Sequence, residues 1–103
     1  MSVEVKRGNS KNYDEVVRTL NGEGCFNIFK WSDPPGSDYG WHTHPHDEVR
    51  WVLKGSILIG TDNGDVLLKA GDRLNVRADT RHWAKTVDGV TYVCASQTAS
   101  GGD

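Results

Sequence analysis

Cysteine is nearly missing from this chain, with two among 103 residues, Cys25 and Cys94, and methionine occurs once. Two cysteines without a CxxC spacing exclude a four-thiolate zinc site and leave at most a single structural disulfide as the alternative to two free thiols. Neither has an adjacent His or Lys to lower its thiol pKa, so each reads as a small buried hydrophobe. Long apolar runs are also absent. None approaches the ~18 residues of a membrane span, and the segment from Met1 to Arg7 carries no signal-peptide core. The expectation is a cytoplasmic protein with no membrane partner. Nor is there an excess of one charge sign: Lys plus Arg is 12, Asp plus Glu is 14, and the net charge is −2. That balance argues against nucleic acid or an anionic surface as the main partner. No repeat, linker or low-complexity tract divides residues 1–103, which read as a single domain.

What the chain does have belongs to β structure. Eleven valines stand against five alanines, with twelve glycines, a composition that favours pleated strands between turns. One helix is expected, Tyr13 to Leu20, within an N-terminal segment of residues 1–23. Val16, Val17 and Leu20 fall at helical spacing, Asn12 can cap, and Asn21-Gly22 can stop it. Strands are then expected at Cys25–Trp31, Tyr39–Thr43, Glu48–Leu53, Ser56–Thr61, Asp65–Lys69, Arg73–Arg77, His82–Val87 and Val90–Ser96. Asp62-Asn63-Gly64 and Asp88-Gly89 are hairpin signals. Residues 97–103 lack anchors and are expected to form a flexible tail. Short strands at this spacing imply a sandwich or barrel.

All four histidines lie beyond residue 41, three of them in His42-Thr43-His44-Pro45-His46. On a strand the side-chain period is two, so His42 and His44 share a face. Pro45 breaks the ladder, and Glu48 is expected to open a returning strand where it faces both histidines across the pair. Two imidazoles and a carboxylate on one concave face suit a first-row transition metal, and His82 can complete the set from a distant strand. His46 sits in the intervening turn and reads as a rim histidine, with proton shuttling at the site mouth as the alternative.

The pattern Gly36-x5-His42-x-His44-x3-Glu48-x6-Gly55 resembles the first motif of the cupin superfamily at all five fixed positions. Gly71-x5-Arg77-x-Asp79-x2-His82-x3-Thr86 resembles the second, with Gly71 and His82 matched. There Arg77, Asp79 and Thr86 replace the family's Pro, Gly and Asn at structural positions. The resemblance spans residues 36–55 and 71–86. It implies a jelly-roll β-barrel around one divalent metal ion (Fe, Mn, Ni or Zn), with His42, His44, Glu48 and His82 as ligands. Four protein ligands on an octahedral ion leave two neighbouring positions for a substrate and O2, or for a bidentate substrate.

Strand parity extends the map. With Glu48 inward, Arg50 and Val52 follow it, while Val49, Trp51 and Leu53 point out. Trp41 and Trp83, each beside a ligand, also point out. Three outward tryptophans mark either a homodimer surface or a face covered by the N-terminal segment. An inward Arg50 can hold a carboxylate or enolate; the other reading places it at the rim, paired with Asp47 or another acid. As an enzyme, the chain would share its ligand set with quercetin dioxygenase-like and acireductone dioxygenase-like cupins. It would then be a metal-dependent dioxygenase acting on a small chelating substrate, with Glu48 and Arg50 as its catalytic residues. Isomerase or lyase chemistry, and a non-catalytic sugar- or small-molecule-sensing module, are the alternatives, since one scaffold hosts many functions.

Overall fold

A computed structural model describes residues 3–97, and the expected flexible tail lies outside the described residues except for Gln97, which ends a strand. In chain order the elements are β1 (Val3–Lys6), α1 (Tyr13–Gly22), β2 (Phe26–Asp33), β3 (Asp38–His42) and β4 (Asp47–Thr61). They continue with β5 (Gly64–Lys69), β6 (Arg73–Val76), β7 (His82–Lys85) and β8 (Val90–Gln97). All strand pairings are antiparallel. One sheet runs β1-β6-β4-β8-β2 and the other β5-β4-β7-β3. The result is a jelly-roll barrel, and α1 is neither long nor apolar enough to cross a membrane.

The two strands expected at Glu48–Leu53 and Ser56–Thr61 are one continuous strand, β4, which belongs to both sheets. The chain passes between them at Gly55, whose φ is +77° and whose missing Cβ would meet the backbone of Gly89. Only glycine takes that conformation at that contact without strain. A second difference is β1, a strand in the N-terminal segment, where only a helix was expected. It pairs with β6, setting Val3 opposite Val76 and Val5 opposite Leu74.

The helix starts as expected. Asn12 caps it by accepting the Glu15 backbone N–H at 3.0 Å. It ends later than Asn21-Gly22 predicts, because Glu23 still donates its N–H to Thr19 and Leu20 carbonyls. The left-handed turn falls to Gly24, at φ +82°. Val16 and Leu20 are fully buried against Val49, Trp51, Val93 and Ala95 on the outer face of the first sheet. Each such burial contributes roughly 1.5–3 kcal/mol. Cys25 joins this cluster and Cys94 the lumen side, both as free thiols. Burial pushes both pKa values up.

The three outward tryptophans therefore divide. Trp51 is covered: its indole N–H donates to the Ser10 carbonyl at 2.9 Å, and the Arg73 guanidinium lies over its ring. Trp41 is 45% exposed, and Trp83 is half-buried with its indole laid over Gly60. The departures from the second motif also find local substitutes. Asp79 adopts φ +62°, where the family has glycine, a conformation that Asp tolerates better than most residues. Thr86 donates to the Ser56 carbonyl and accepts the Gly89 N–H, which pins the β7–β8 turn.

Candidate metal centre

His42 ends β3, His82 opens β7, and the two are directly opposed in the ladder. Their ring centroids lie 4.3 Å apart. His44 follows just past the end of β3, where its carbonyl accepts the Asp79 N–H, and its ring is 4.8 Å from His42 and 5.3 Å from His82. One nitrogen from each imidazole falls within 4.8 Å of the other two.

The surrounding backbone fixes which nitrogens are available. His42 Nδ1 is 2.6 Å from the Gly40 carbonyl and His82 Nδ1 is 2.9 Å from the Thr80 carbonyl. A carbonyl only accepts, so each Nδ1 carries the proton and each Nε2 carries a lone pair. His44 presents Nδ1 to Glu48 Oε2 at 3.5 Å, while its Nε2 is buried with no hydrogen-bond partner among the described residues. Burial pushes the His44 pKa below its ordinary value, against the opposing pull of Glu48, and burial does the same at His82. Neutral imidazole is the form that binds metal.

Glu48 reaches the histidines by another route than expected. β3 pairs with β7, not with β4, so Glu48 faces the cluster from the opposite sheet across the lumen. Its Oε1 lies 2.8 Å from Arg50 Nη2, close in charge though not aligned as a hydrogen bond. Arg50 points inward and lines the cavity. Its acid partner is Glu48; Asp47 instead accepts the Ala78 N–H at 2.6 Å and faces Arg77. His46 is exposed, edge-on to Phe26, and does not line the cavity.

The three clustered imidazoles, Glu48 and Arg50 share a cavity of about 650 Å³. Its deeper wall is aliphatic, with Ile57, Ile59, Leu74 and Ala84. Toward β2 and β3, each paired on one edge only among the described residues, the wall is aromatic: Phe29, Trp31 and Tyr39, with Tyr92 behind them. Behind that wall lies Asp33, a buried carboxylate the sequence reading did not single out. The signal was available, since Phe29, Trp31 and Asp33 alternate along one face of β2. Three imidazoles, a carboxylate and a guanidinium in a mostly apolar cavity can hold a divalent ion and an anionic ligand together.

Comparison with known proteins agrees with this architecture. The cupin domain family (Cupin_2) matches residues 29–94, more than half the chain. The acireductone dioxygenase of Synechococcus sp. (strain CC9605) is 46% identical over 46 residues, 41% of this chain and 25% of that protein. The match thus spans about a quarter of the curated relative's length. A DMSP lyase crystal structure superposes with a TM-score of 0.65 and 29% identity, covering 74% of this chain and 40% of that one. A cupin superfamily protein from Desulfitobacterium hafniense superposes with a TM-score of 0.66 at 16% identity, covering 94% of this chain and 78% of that one, a likeness of fold. On the barrel, the histidine cluster and the family match taken together, the chain belongs to the cupin domain family.

Proposed function

We propose that this cupin binds one divalent transition metal through His42, His44 and His82, with Glu48 as the fourth ligand. Its activity in this reading is dioxygenase-type, on a small chelating organic substrate. The observation that carries the metal is His44 Nε2, a buried lone-pair nitrogen with no partner, set among two imidazoles whose Nδ1 protons are already committed. Orphaned buried acceptors are costly, and a cation resolves this one. When bound, the metal supplies Lewis acidity and, in the case of iron, redox capacity.

The chain's own residues do the rest. Backbone carbonyls of Gly40 and Thr80 lock the ring orientations of His42 and His82. Arg50 offers its guanidinium to a carboxylate or enolate oxygen, displacing its contact with Glu48. Glu48, freed of Arg50, can take a proton from the substrate within the same cavity through the carboxylate oxygen that it does not give to a metal. The aliphatic wall keeps water from the reacting atoms and strengthens these charge interactions. The short likeness to acireductone dioxygenase supports the oxygenase reading, and the likeness to a DMSP lyase favours non-redox lyase chemistry as the second.

Elemental analysis of the purified protein, followed by an oxygen-electrode assay of the Fe(II)-loaded form with diketones, flavonols and catechols, tests both. Oxygen uptake coupled to substrate loss is expected. Anaerobic turnover would move the assignment to lyase or isomerase. Stoichiometric binding without turnover would leave a small-molecule sensor.

A further inference from the structure

Asp33 is 6% exposed, and its carboxylate accepts three side-chain hydrogen bonds. Oδ1 takes the Trp31 indole N–H at 2.8 Å and the Tyr39 hydroxyl at 2.6 Å, and Oδ2 takes the Tyr92 hydroxyl at 2.8 Å. Asp33 does not itself line the cavity, but all three donors do. They come from three strands, and Tyr39 belongs to the opposite sheet from Trp31 and Tyr92, so the Asp33–Tyr39 bond ties the two sheets across the open side. Trp31 and Tyr39 remain 48% and 40% exposed, so burying these rings for stability does not account for the arrangement. A buried carboxylate is costly unless fully bonded, and here its bonds serve to fix ring positions. Asp33 holds the Tyr39 phenol above its ordinary pKa, and burial, reinforced by Asp33, does so for Tyr92. Phenols are protonated at physiological pH even at their ordinary pKa, so both rings act as donors there.

The ladder sets the wall's distance from the polar end. Arg50 lies opposite Cys94, which lies opposite Phe29; two residues along, Val52 opposes Tyr92, which opposes Trp31. One such step is about 6.6 Å, comparable to the reach from a carboxylate to an adjacent planar group.

We propose that Asp33 is a specificity-determining positioning residue, fixing Trp31, Tyr39 and Tyr92 as a wall that selects small anions bearing a flat apolar or aromatic tail. This rests on the reading above for the anionic head, held at Arg50 beside the metal.

Calorimetric titration of the purified protein with pyruvate and phenylpyruvate, which share a head and differ in the ring, tests it. Phenylpyruvate should bind at least about tenfold more tightly, the scale expected for one well-seated ring. Asp33→Asn, which cannot accept three donors as the carboxylate does, should bring the ratio close to one while pyruvate affinity holds, with a melting temperature lowered by the lost buried bonds. Tyr39→Phe keeps the ring, removes only the cross-sheet bond, and should reduce the ratio to about threefold or less; it decides the matter if Asp33→Asn does not fold. Equal wild-type affinities, or an undiminished preference in Tyr39→Phe or a folded Asp33→Asn, would overturn the assignment. Metal content measured on the same samples separates the two readings. A phenylpyruvate preference without metal overturns the metal centre alone, and metal without preference overturns the wall alone.

Discussion

The two nitrogens of His44 stand in different circumstances, and that contrast yields a prediction at the residue scale. Nδ1 faces Glu48, whereas Nε2 is buried and unpaired. An unsatisfied buried polar atom costs about 1–3 kcal/mol. In metal-free protein, His44→Leu should therefore leave stability unchanged or raise it by about 1 kcal/mol, while metal uptake falls below stoichiometry by elemental analysis. A His42→Ala/His44→Ala double variant should abolish stoichiometric metal altogether, and undiminished occupancy would place the ion elsewhere. Gly60 makes a second residue-scale case. A Cβ there would run into the Trp83 indole, which lies flat over the glycine. Gly60→Ala should cost about 1–3 kcal/mol by overpacking, measured in urea, with a shift in tryptophan emission as the ring is displaced. No motif marks Gly60. The constraint comes from a residue 23 positions away, opposite it in the β4–β7 ladder, and such pairing leaves no trace in local sequence.

Among the elements, local signals proved enough wherever the determining groups were neighbours in the chain. The Asn12 cap, the helical spacing of Val16 and Leu20 and the Asp62-Asn63-Gly64 turn all lie within a few residues of what they specify. The inward set of Glu48, Arg50 and Val52 followed from period-two parity along one strand. Non-local pairing was not legible: β3 joins β7 instead of β4, β1 joins β6, and β4 runs unbroken through both sheets. Trp51 shows the same limit, since parity placed it outward but could not say that Ser10 and α1 would cover it. The end of α1 is tied to β6 through Glu23 and Arg73, by two bonds of 2.8 and 2.6 Å. Arg73 is almost wholly buried and Glu23 partly exposed. Hydrogen bonding to Arg73 lowers the Glu23 pKa from its ordinary 4.5 despite the cost of burial. A lowered carboxyl pKa contributes stability above the unfolded value, and that contribution disappears as pH falls through the folded value. Glu23→Gln should therefore cost about 1–2 kcal/mol at pH 7, discounted for solvent screening. The gap from wild type in urea should close as pH falls through and below 4.5.

Taken as a whole, the molecule offers two surfaces on which larger-scale behaviour depends. On the outer face of the second sheet, Trp41 and Trp83 meet edge-on and Arg81 stacks on Trp41, leaving a partly exposed aromatic patch. With Trp51 covered, these two residues carry what remains of the case for a homodimer. Sedimentation at micromolar concentration should show a dimer that Trp41→Glu dissociates, and a wild-type monomer near 11.4 kDa removes the case. Inside, the metal reading has a mechanical consequence. His42 and His82 belong to one sheet and Glu48 to the part of β4 in the other, so an ion held by all of them joins the sheets at the open side of the barrel. A ligand that binds only the folded state stabilises it by about 2.7 kcal/mol at a hundredfold excess over its Kd. At about 4–8 °C per kcal/mol for a domain of this size, chelation should lower Tm by roughly 10–20 °C. Glu48→Gln weakens the link from one sheet and should shrink that shift. His46→Ala, at an exposed position away from the cavity, should leave it intact. A chelator with no effect on Tm, in protein shown to contain stoichiometric metal, would mean that the ion does not bridge the two sheets.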